Sequence, residues 1–365
     1  MESYLSATLP DTVLAAAGID VGFFATKFTC YRQSSPGKAG AIVADQFPSL
    51  APRQAGMSIP LPNTDKPDAV EIEIEPNVSH LVGKDIDKLS HGFGSTAVTS
   101  DYSRGTAYKA LFRGALHAIA RANAVKGNLT IETVVAGLPL SSIRTHASEL
   151  QEFMRTPHTM PHPADHERAL TVVIKNALVL GQPQGALMNY HVAKGKVDRS
   201  MVTLVLDMGG GTFDWYAAIG NTPNPQRCGA APIGALACAT AVCNRIDPNF
   251  KNSPLIMGRV DAALRTGAAT FTVSGTTYEM KQYQPVVRGV LADAIQQMRK
   301  SVGNLQEMDA ILFTGGAAPM LYAVCQEVLP EFKEVMMLDH DPVTSNVRGF
   351  HVWAEQFNAT KKVRA

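Results

Sequence analysis

Apolar residues recur at helical spacing in several stretches of the chain. The most regular pattern joins six residues: Tyr108, Leu111, Phe112, Ala115, Leu116 and Ile119. Intervals of three and four residues bring them to one side of an α-helix, so the pattern predicts a strongly amphipathic helix there. The same spacing predicts helices over residues 234–245, 286–302 and 348–358, and a further helix that begins near residue 186.

Short apolar runs that end in aspartate or glycine predict the strands. They lie at residues 17–19, 26–31, 131–136, 171–174, 177–180, 202–206, 213–219 and 310–313. Alternation of apolar residues with glutamates over 70–75 predicts one more, half-exposed strand. Residues 1–17 are predicted to be an irregular lead-in, and the Ser-, Gly- and Pro-containing stretches 33–40 and 51–68 are predicted loops.

Two strand–turn–strand segments resemble each other. Asp20 and Gly22 in the first turn have the same offset as Asp207 and Gly209 in the second. Each turn follows an apolar strand and leads into a returning strand. The repeat predicts two related α/β domains that face one cleft.

Size and charge limit the function classes. The chain has 365 residues, of which 45% are hydrophobic, enough for two cores. The 33 Lys and Arg nearly cancel the 32 Asp and Glu, so charge alone does not hold nucleic acid. Five cysteines without a CxxC pair predict reduced thiols rather than a disulfide framework or a structural zinc site. Neither a signal peptide nor a membrane span is expected, so the predicted location is the cytoplasm.

The strongest chemical signal is the run DMGGGTFD, residues 207–214. Its candidate anion donors are Gly209, Gly210, Gly211 and Thr212. Backbone N–H groups of successive glycines can approach a phosphate without side chains in the way. Asp207 is a hard oxygen ligand suited to Mg²⁺, through water. A tight hairpin is the simpler alternative, but the position between two aspartates after a buried strand favours phosphate binding.

Five segments, in this order, carry a resemblance to a known family. They are GIDVGFFATK at 18–27, VVAGLP at 134–139, LGQPQGA at 180–186, LDMGGGTFD at 206–214 and ILFTGGA at 311–317. They resemble motifs of the actin-like ATPase superfamily, and within it the ParM/StbA plasmid-segregation proteins. The resemblance implies a duplicated α/β fold with nucleotide in the interdomain cleft. Domain I would span residues 1–196, domain II residues 197–347, and a helix over 348–365 would return to domain I.

The resemblance also implies a ligand, ATP or ADP with Mg²⁺, and a set of site residues. Asp20 and Asp207 would hold the metal through its waters. Phosphates would be met by Gly22, Thr26, Lys27, Gly209, Gly210, Gly211 and Thr212. Gly315 and Gly316 would let the backbone pass close to the nucleoside, although an ordinary strand-ending turn explains them equally well on their own.

Gln184 matches the position at which these proteins place a residue that orients the attacking water. Hydrolysis of a γ-phosphate needs a positioned water more than a strong base, and a glutamine amide can supply that. Gln182, two residues earlier, is the alternative, and a polar Gly/Pro loop without catalytic function is the simplest explanation of the segment.

Two features stay outside this interpretation. Phe23 and Phe24 stand where relatives usually carry smaller residues at one or both positions, and their rings either narrow the phosphate pocket or face the core. His158, His162 and His166 have the spacing of a helical metal site, but the neighbouring prolines exclude a helix. A mobile loop is therefore predicted in preference to a metal site.

The sequence accordingly predicts a filament-forming ATPase that segregates plasmid DNA. Its partners would be further copies of itself, head to tail, and a DNA-bound adaptor protein. A metabolite kinase of the same fold, a chaperone of the heat-shock type and a non-filamentous nucleotide-binding protein are the alternatives. The kinase would need a catalytic carboxylate near residue 184, and the chaperone would need room for a further domain after the last motif.

Overall fold

A computed structural model of the protein describes residues 9–33, 40–53, 67–90, 101–195 and 198–364. Within these ranges the strands of the first half are β1 Thr12–Val21, β2 Ala25–Arg32, β3 Ile42–Pro48, β4 Val70–Glu75, β5 Val78–Val82, β6 Leu129–Leu138, β7 His158–His162 and β8 Asp165–Gly181. Those of the second half are β9 Val202–Met208, β10 Phe213–Ile219, β11 Thr222–Pro223, β12 Gly229–Ala231, β13 Thr270–Val273, β14 Thr276–Glu279, β15 Ala310–Thr314 and β16 Met336–Leu338.

The α-helices alternate with these strands. They are α1 Ile86–Ser90, α2 Thr106–Ala122, α3 Leu140–Arg155, α4 Gln182–Ala193, α5 Ala235–Ile246, α6 Pro254–Thr266, α7 Gln284–Val302, α8 Ala318–Val328 and α9 Ser345–Arg364. In the part of the chain that the structure describes, no helix combines the length and the apolar character needed to cross a membrane.

Two large sheets share one design. The first has the order β3-β2-β1-β6-β8-β7, and the second β11-β10-β9-β15-β16, with β12 beside β10. In each, an antiparallel hairpin is followed by a parallel neighbour: β1–β2 with β6, and β9–β10 with β15. This repeated unit confirms the predicted duplicated α/β fold.

Each sheet has its own hydrophobic core. In the first, Leu111, Leu116 and Ile119 of α2 are fully buried in a cluster with residues of β1, β6 and β8. In the second, α5, α7 and α8 contribute to the cluster around β9, β10 and β15. The predicted amphipathic helix is therefore α2, and it covers one face of the first sheet. The domain boundaries near residues 196 and 347 remain a proposal.

Helix α9 joins the first sheet through an unusually close backbone contact. It packs on β1, β6 and α4. A Cβ atom at Gly349 would overlap the carbonyl oxygen of Gly185 in α4, and one at Gly185 would overlap the carbonyl oxygen of Asn346. The fully buried Phe350 ring fills the space beside Gly137 and Gly185. Glycine is needed on both helices because the two backbones touch.

Several local predictions were wrong. Strand β1 begins at Thr12 and not at the predicted residue 17. Its first residues are partly exposed, so the apolar pattern missed them, but they pair with β6. The two strands predicted over 171–180 are parts of one strand, β8. Residues 182–185, expected in a loop, form the first turn of α4.

The histidine segment also differs from its prediction. Residues 158–162 form edge strand β7 of a hairpin with β8, not a mobile loop. His158 and His162 are buried, which fixes the segment. The described residues contain no group of three or more His, Cys, Asp or Glu side chains that could hold a metal ion.

The α4–α9 contact leads to a stability prediction. Gly349→Ala should destabilise the protein by about 1–3 kcal/mol, because the methyl group forces two touching backbones apart. Gly289→Ala is the matched control: Gly289 lies in α7, and a Cβ added there would have no atom within 4 Å. In this control, the replacement of a helical glycine by alanine should stabilise the protein by about 0.5–1 kcal/mol. Urea unfolding followed by circular dichroism measures both, and equal effects would contradict the close contact.

Candidate functional site

A cavity of about 490 Å³ lies between the two sheets. The turns after β1, β9 and β15 line it, together with the first residues of α3 and α4. The predicted site residues that line it are Asp20, Gly22, Lys27, Asp207, Gly209, Gly210, Gly211, Thr212, Gly315 and Gly316. Thr26 and Gln184 are not among the lining residues.

The two hairpin turns close in the same way. The N–H of Gly22 donates to the carbonyl of Ala25 at 3.1 Å, and the N–H of Gly209 donates to that of Thr212 at 2.9 Å. Each turn therefore presents its aspartate and its glycine at the same end of its sheet. The similarity of the two motifs in sequence is thus also a similarity in geometry.

Strand register explains which side chains of the first turn face the cavity. Asp20 and Lys27 are direct partners across the β1–β2 hairpin, with Lys27 Nζ 3.2 Å from Asp20 Oδ2. Thr26 points to the opposite face, where its hydroxyl lies 2.9 Å from that of Ser49. The predicted phosphate contact of the Thr26 hydroxyl is therefore not supported, whereas Lys27 places a cation in the cavity.

The glycine turn after β9 offers unused donors. The carbonyls of Gly209 and Gly210 accept from the N–H groups of Ala235 and Leu236, at 3.1 and 2.9 Å, at the start of α5. Among the described residues, no acceptor binds the N–H groups of Gly210 and Gly211. Unpartnered N–H groups that line a cavity are an arrangement that binds anions.

Gly315 is required by its conformation. Its φ is +92°, and a Cβ there would overlap the Asp207 carboxylate. The next residue, Gly316, would have no atom within 4 Å of an added Cβ, so its Cα faces open space. The backbone after β15 therefore passes directly beside the carboxylate at the end of β9.

Buried carboxylates concentrate negative charge at the ends of β1, β9 and β10. Asp20, Asp207 and Asp214 are each at most 5% exposed. Burial raises the pKa of Asp207 to about 6, and the charge of Asp20 adds to this, although Asn346 donates to Asp207 at 2.8 Å. Burial, followed by the charge of Asp207, raises the pKa of Asp214 to about 7. The ionised forms of Asp207 and Asp214 are therefore unfavourable in this site, mainly because both carboxyls are buried.

This charge balance fits a divalent cation. Carboxylate oxygens are the ligands that Mg²⁺ prefers, and a cation would stabilise the ionised forms that burial and the neighbouring negative charges make unfavourable. Asp20 and Asp207 line the cavity, whereas Asp214 does not. The residues present thus fit a divalent cation, which Asp20 and Asp207 would hold through water.

The two glutamines of α4 have different surroundings. Gln182 lines the cavity and donates from Nε2 to Asp20 Oδ1 at 2.6 Å. Gln184 turns back: its Oε1 accepts from the N–H of Gly181 at 2.8 Å, and its Nε2 lies 3.4 Å from the hydroxyl of Tyr216. Gln184 therefore caps the helix, and the geometry contradicts its predicted position beside the reacting phosphate. Gln182 is the glutamine that the structure brings to the cavity.

Other residues of the site were missed or left open by sequence reasoning. Phe23 and Phe24 both line the cavity, so they do not face the first core. Asn346 reaches Asp207 from α9, and the buried Asp214 accepts from the N–H of Leu140 at 2.7 Å across the two sheets. The second aspartate of the run at 207–214 was a signal for Asp214; no pattern pointed to Asn346.

Comparisons with known proteins agree with this fold. Residues 18–185 match the family model described as actin like proteins N terminal domain. No curated protein sequence matches the chain. The chain is similar in structure to apo pSK41 ParM, with a TM-score of 0.68 at 18% identity over 96% of this chain and 99% of that one.

Two further solved structures are similar. The archaeal actin homologue Ta0583 has a TM-score of 0.68 at 15% identity, over 93% of this chain and 99% of that one. A 15-stranded ParM filament from Clostridium botulinum has a TM-score of 0.70 at 17% identity, over 94% and 99%. At these identities the likeness establishes the fold, which is actin-like, as the motifs predicted.

The buried carboxylates give a pH-dependent stability prediction. A carboxyl whose folded pKa is raised destabilises the fold progressively as pH rises from the unfolded pKa, near 4, to the folded pKa, about 7 for Asp214. Asp214→Asn, which keeps an oxygen acceptor for Leu140, should stabilise the nucleotide-free protein by ~1–3 kcal/mol at pH 8. The gain should shrink towards zero near pH 4. Urea titrations at several pH values measure it, and a gain independent of pH would contradict the assignment.

Proposed function

We propose that this chain, whose fold is that of the actin-like proteins, binds ATP with Mg²⁺ in the cavity and hydrolyses it to ADP and phosphate. The observation that carries the proposal is the pairing of two glycine-containing turns, one from each sheet, around a single cavity. One turn brings Lys27 as a cation, and the other brings the unpartnered N–H groups of Gly210 and Gly211. A phosphate chain between the turns would satisfy both.

The metal would be held by Asp20 and Asp207 through water, as argued from their burial and charge. Bound Mg²⁺ neutralises phosphate charge and holds the phosphate chain in one conformation. The nucleoside would lie beside Gly315 and Gly316, where the open space at Gly316 admits a bulky group. An ADP complex of Ta0583 is among the similar structures and supports nucleotide as the ligand class.

Gln182 is the residue that we propose orients the attacking water. Its amide is held by Asp20 at 2.6 Å, so one side of it is fixed while the side chain lines the cavity. The water oxygen forms a bond to the γ-phosphorus, the bond to the β–γ bridging oxygen breaks, a proton of the water passes to an oxygen of the released phosphate, and ADP leaves. A positioned amide acts by aligning the water and needs no proton affinity of its own.

We further propose that the protein assembles head to tail into filaments. A nucleotide bound between the two sheets favours the closed arrangement, and any assembly built from the closed form is then favoured too. Filament structures of ParM and Alp12 are among the structures that this chain resembles. The finer hypothesis is segregation of plasmid DNA in the cytoplasm through a DNA-bound adaptor, supported by the ParM resemblance and by the nearly neutral net charge.

A metabolite kinase of the same fold is the second candidate. It would need a carboxylate that accepts a proton from a second substrate, and the first turn of α4 offers glutamines there instead. ATP turnover that depends on a sugar or another small hydroxyl compound would favour this candidate over the filament.

The roles of the glutamines can be separated. Gln182→Ala should lower kcat for phosphate release at least about tenfold while ATP affinity changes little, because alignment of the water acts mainly in the transition state. Gln184→Ala is the matched control on the same turn and should keep kcat near the wild-type value, with a loss of ~1 kcal/mol in stability from the missing cap. If kcat falls in Gln184→Ala and stays near the wild-type value in Gln182→Ala, Gln184 is the residue that orients the water.

Assembly can be tested directly. ATP or a non-hydrolysable analogue should raise light scattering and the pelleted fraction of the wild-type protein, and Gln182→Ala should give polymers that persist after ATP addition. ADP should support less polymer, because the contacts weaken after hydrolysis. A protein that hydrolyses ATP but stays monomeric with every nucleotide, at concentrations on the order of tens of micromolar, contradicts the filament proposal.

A further inference from the structure

The Phe24 ring bridges the two turns of the cavity. Phe24 belongs to the turn between β1 and β2, but its half-buried ring packs against the core of the second sheet. A Cβ at Gly210 would overlap this ring, so ring and glycine are in direct contact. Phe23 supports it from the side, with the ring centroids 4.9 Å apart in an edge-to-face arrangement. The contact joins the first sheet to the second at the glycine turn.

This contact lies at the unused donors. Gly210 and its neighbour Gly211 carry the N–H groups that no acceptor among the described residues binds. A phenyl ring cannot accept their hydrogen bonds as a phosphate oxygen does, and an apolar ring and an anion cannot occupy the same space. Because the ring lies against Gly210, a phosphate that binds at this turn competes with the ring for space.

Arg265 faces the same ring from the second sheet's side. Its guanidinium carbon lies 5.7 Å from the centroid of the Phe24 ring, within the range of a cation–π contact. Its Nε donates to Asp261 Oδ2 at 2.7 Å. Because the Asp261 side chain is only 2% exposed, this ion pair fixes the Nε end of the guanidinium. Among the described residues, its two terminal amino groups donate to no acceptor, and the side chain lines the cavity.

A guanidinium held in this way matches a phosphate. Two parallel N–H donors on a planar fork bind phosphate oxygens bidentately, more strongly than neutral donors do. While the phenyl ring is present, the cation is partly satisfied by the ring face. When the ring moves away, the positive charge loses this contact and faces the cavity.

We propose that Phe24 and Arg265 form a gate on the phosphate end of the cavity. In the nucleotide-free protein the Phe24 ring covers the glycine turn and is held there by Arg265. An entering polyphosphate displaces the ring, takes the N–H groups of Gly210 and Gly211, and is bound by the terminal amino groups of Arg265. The gate rests on the proposed nucleotide function, and it adds one binding residue and one barrier to that function.

The barrier is tested by the rate of nucleotide association. If the ring covers the turn in about nine molecules of ten, Phe24→Ala should raise the association rate of a fluorescent ATP analogue about tenfold in stopped flow. Phe250→Ala is the matched control, since its half-buried ring packs on the same core outside the cavity. An unchanged rate in Phe24→Ala overturns the gate. A weaker equilibrium affinity in that variant also overturns it, because the ring would then be a favourable contact of the nucleotide.

The binding role of Arg265 is tested by ligands that differ only in phosphates. Arg265→Gln should weaken ATP and ADP binding about tenfold or more, from the loss of charge-assisted hydrogen bonds, and should leave adenosine binding unchanged. Arg259→Gln on the same helix, whose guanidinium binds the backbone carbonyl of Thr272, should change neither. An equal loss for adenosine and ATP assigns Arg265 to structure and contradicts the proposal.

Failure of the gate and failure of the nucleotide function remain distinguishable. Hydrogen exchange without any nucleotide should be faster over residues 207–214 in Phe24→Ala than in the wild type or Phe250→Ala, because the ring shields those amides. Equal exchange overturns the gate even if ATP binds. Faster exchange in a protein that binds no nucleotide would support the contact between the ring and the glycine turn. It would contradict both the nucleotide function and the binding role of Arg265.

Discussion

The burial of three carboxylates at one point is the constraint on which the site depends. Asp207 and Asp214 are direct partners across the β9–β10 hairpin, and Asp20 reaches the same place from the other sheet. Burial, to which the neighbouring negative charges add, raises the pKa of Asp207 to about 6 and that of Asp214 to about 7, so their ionised forms are unfavourable without a ligand. A cation or a protonated carboxyl relieves this, which links any ligand that brings positive charge to the stability of the fold.

The α4–α9 pair lies next to this charge and packs on both sheets, α4 on β9 and β10 and α9 on β1 and β6. The contact of α4 with α9 brings Gly185 and Gly349 backbone to backbone. From this joint, Gln182 at the start of α4 reaches Asp20, and Asn346 at the start of α9 reaches Asp207. The same two helices therefore supply a donor to the carboxylate of each sheet. A helix near the end of the sequence thus contributes directly to the cavity.

The elements that the sequence predicted correctly are apolar along their whole length. The sequence-based prediction was wrong where backbone pairing or helix capping determines the structure. Strand β10 has its predicted bounds, because every residue from Phe213 to Ala218 is buried. Helix α3 was missed, since only three of its residues are buried and most of its surface is polar. The motifs located both glycine-containing turns of the cavity. The direction of single side chains, however, depends on strand register and on the position within a helical turn. For that reason Thr26 was assigned with Lys27, and Gln184 was preferred to Gln182.

The contacts across the cavity also limit how a ligand can act on the whole molecule. A ligand shifts a conformational equilibrium only by the difference between its affinities for the two states. Here that difference has an identifiable source. The hydrogen bond from Leu140 to Asp214 and the contact of the Phe24 ring with Gly210 both join the sheets without a ligand. In the proposed gate, a bound phosphate chain replaces the ring contact with charged contacts to the same turn. The exchange of an apolar contact for an ionic one is therefore the step at which nucleotide binding can alter the relation between the two halves.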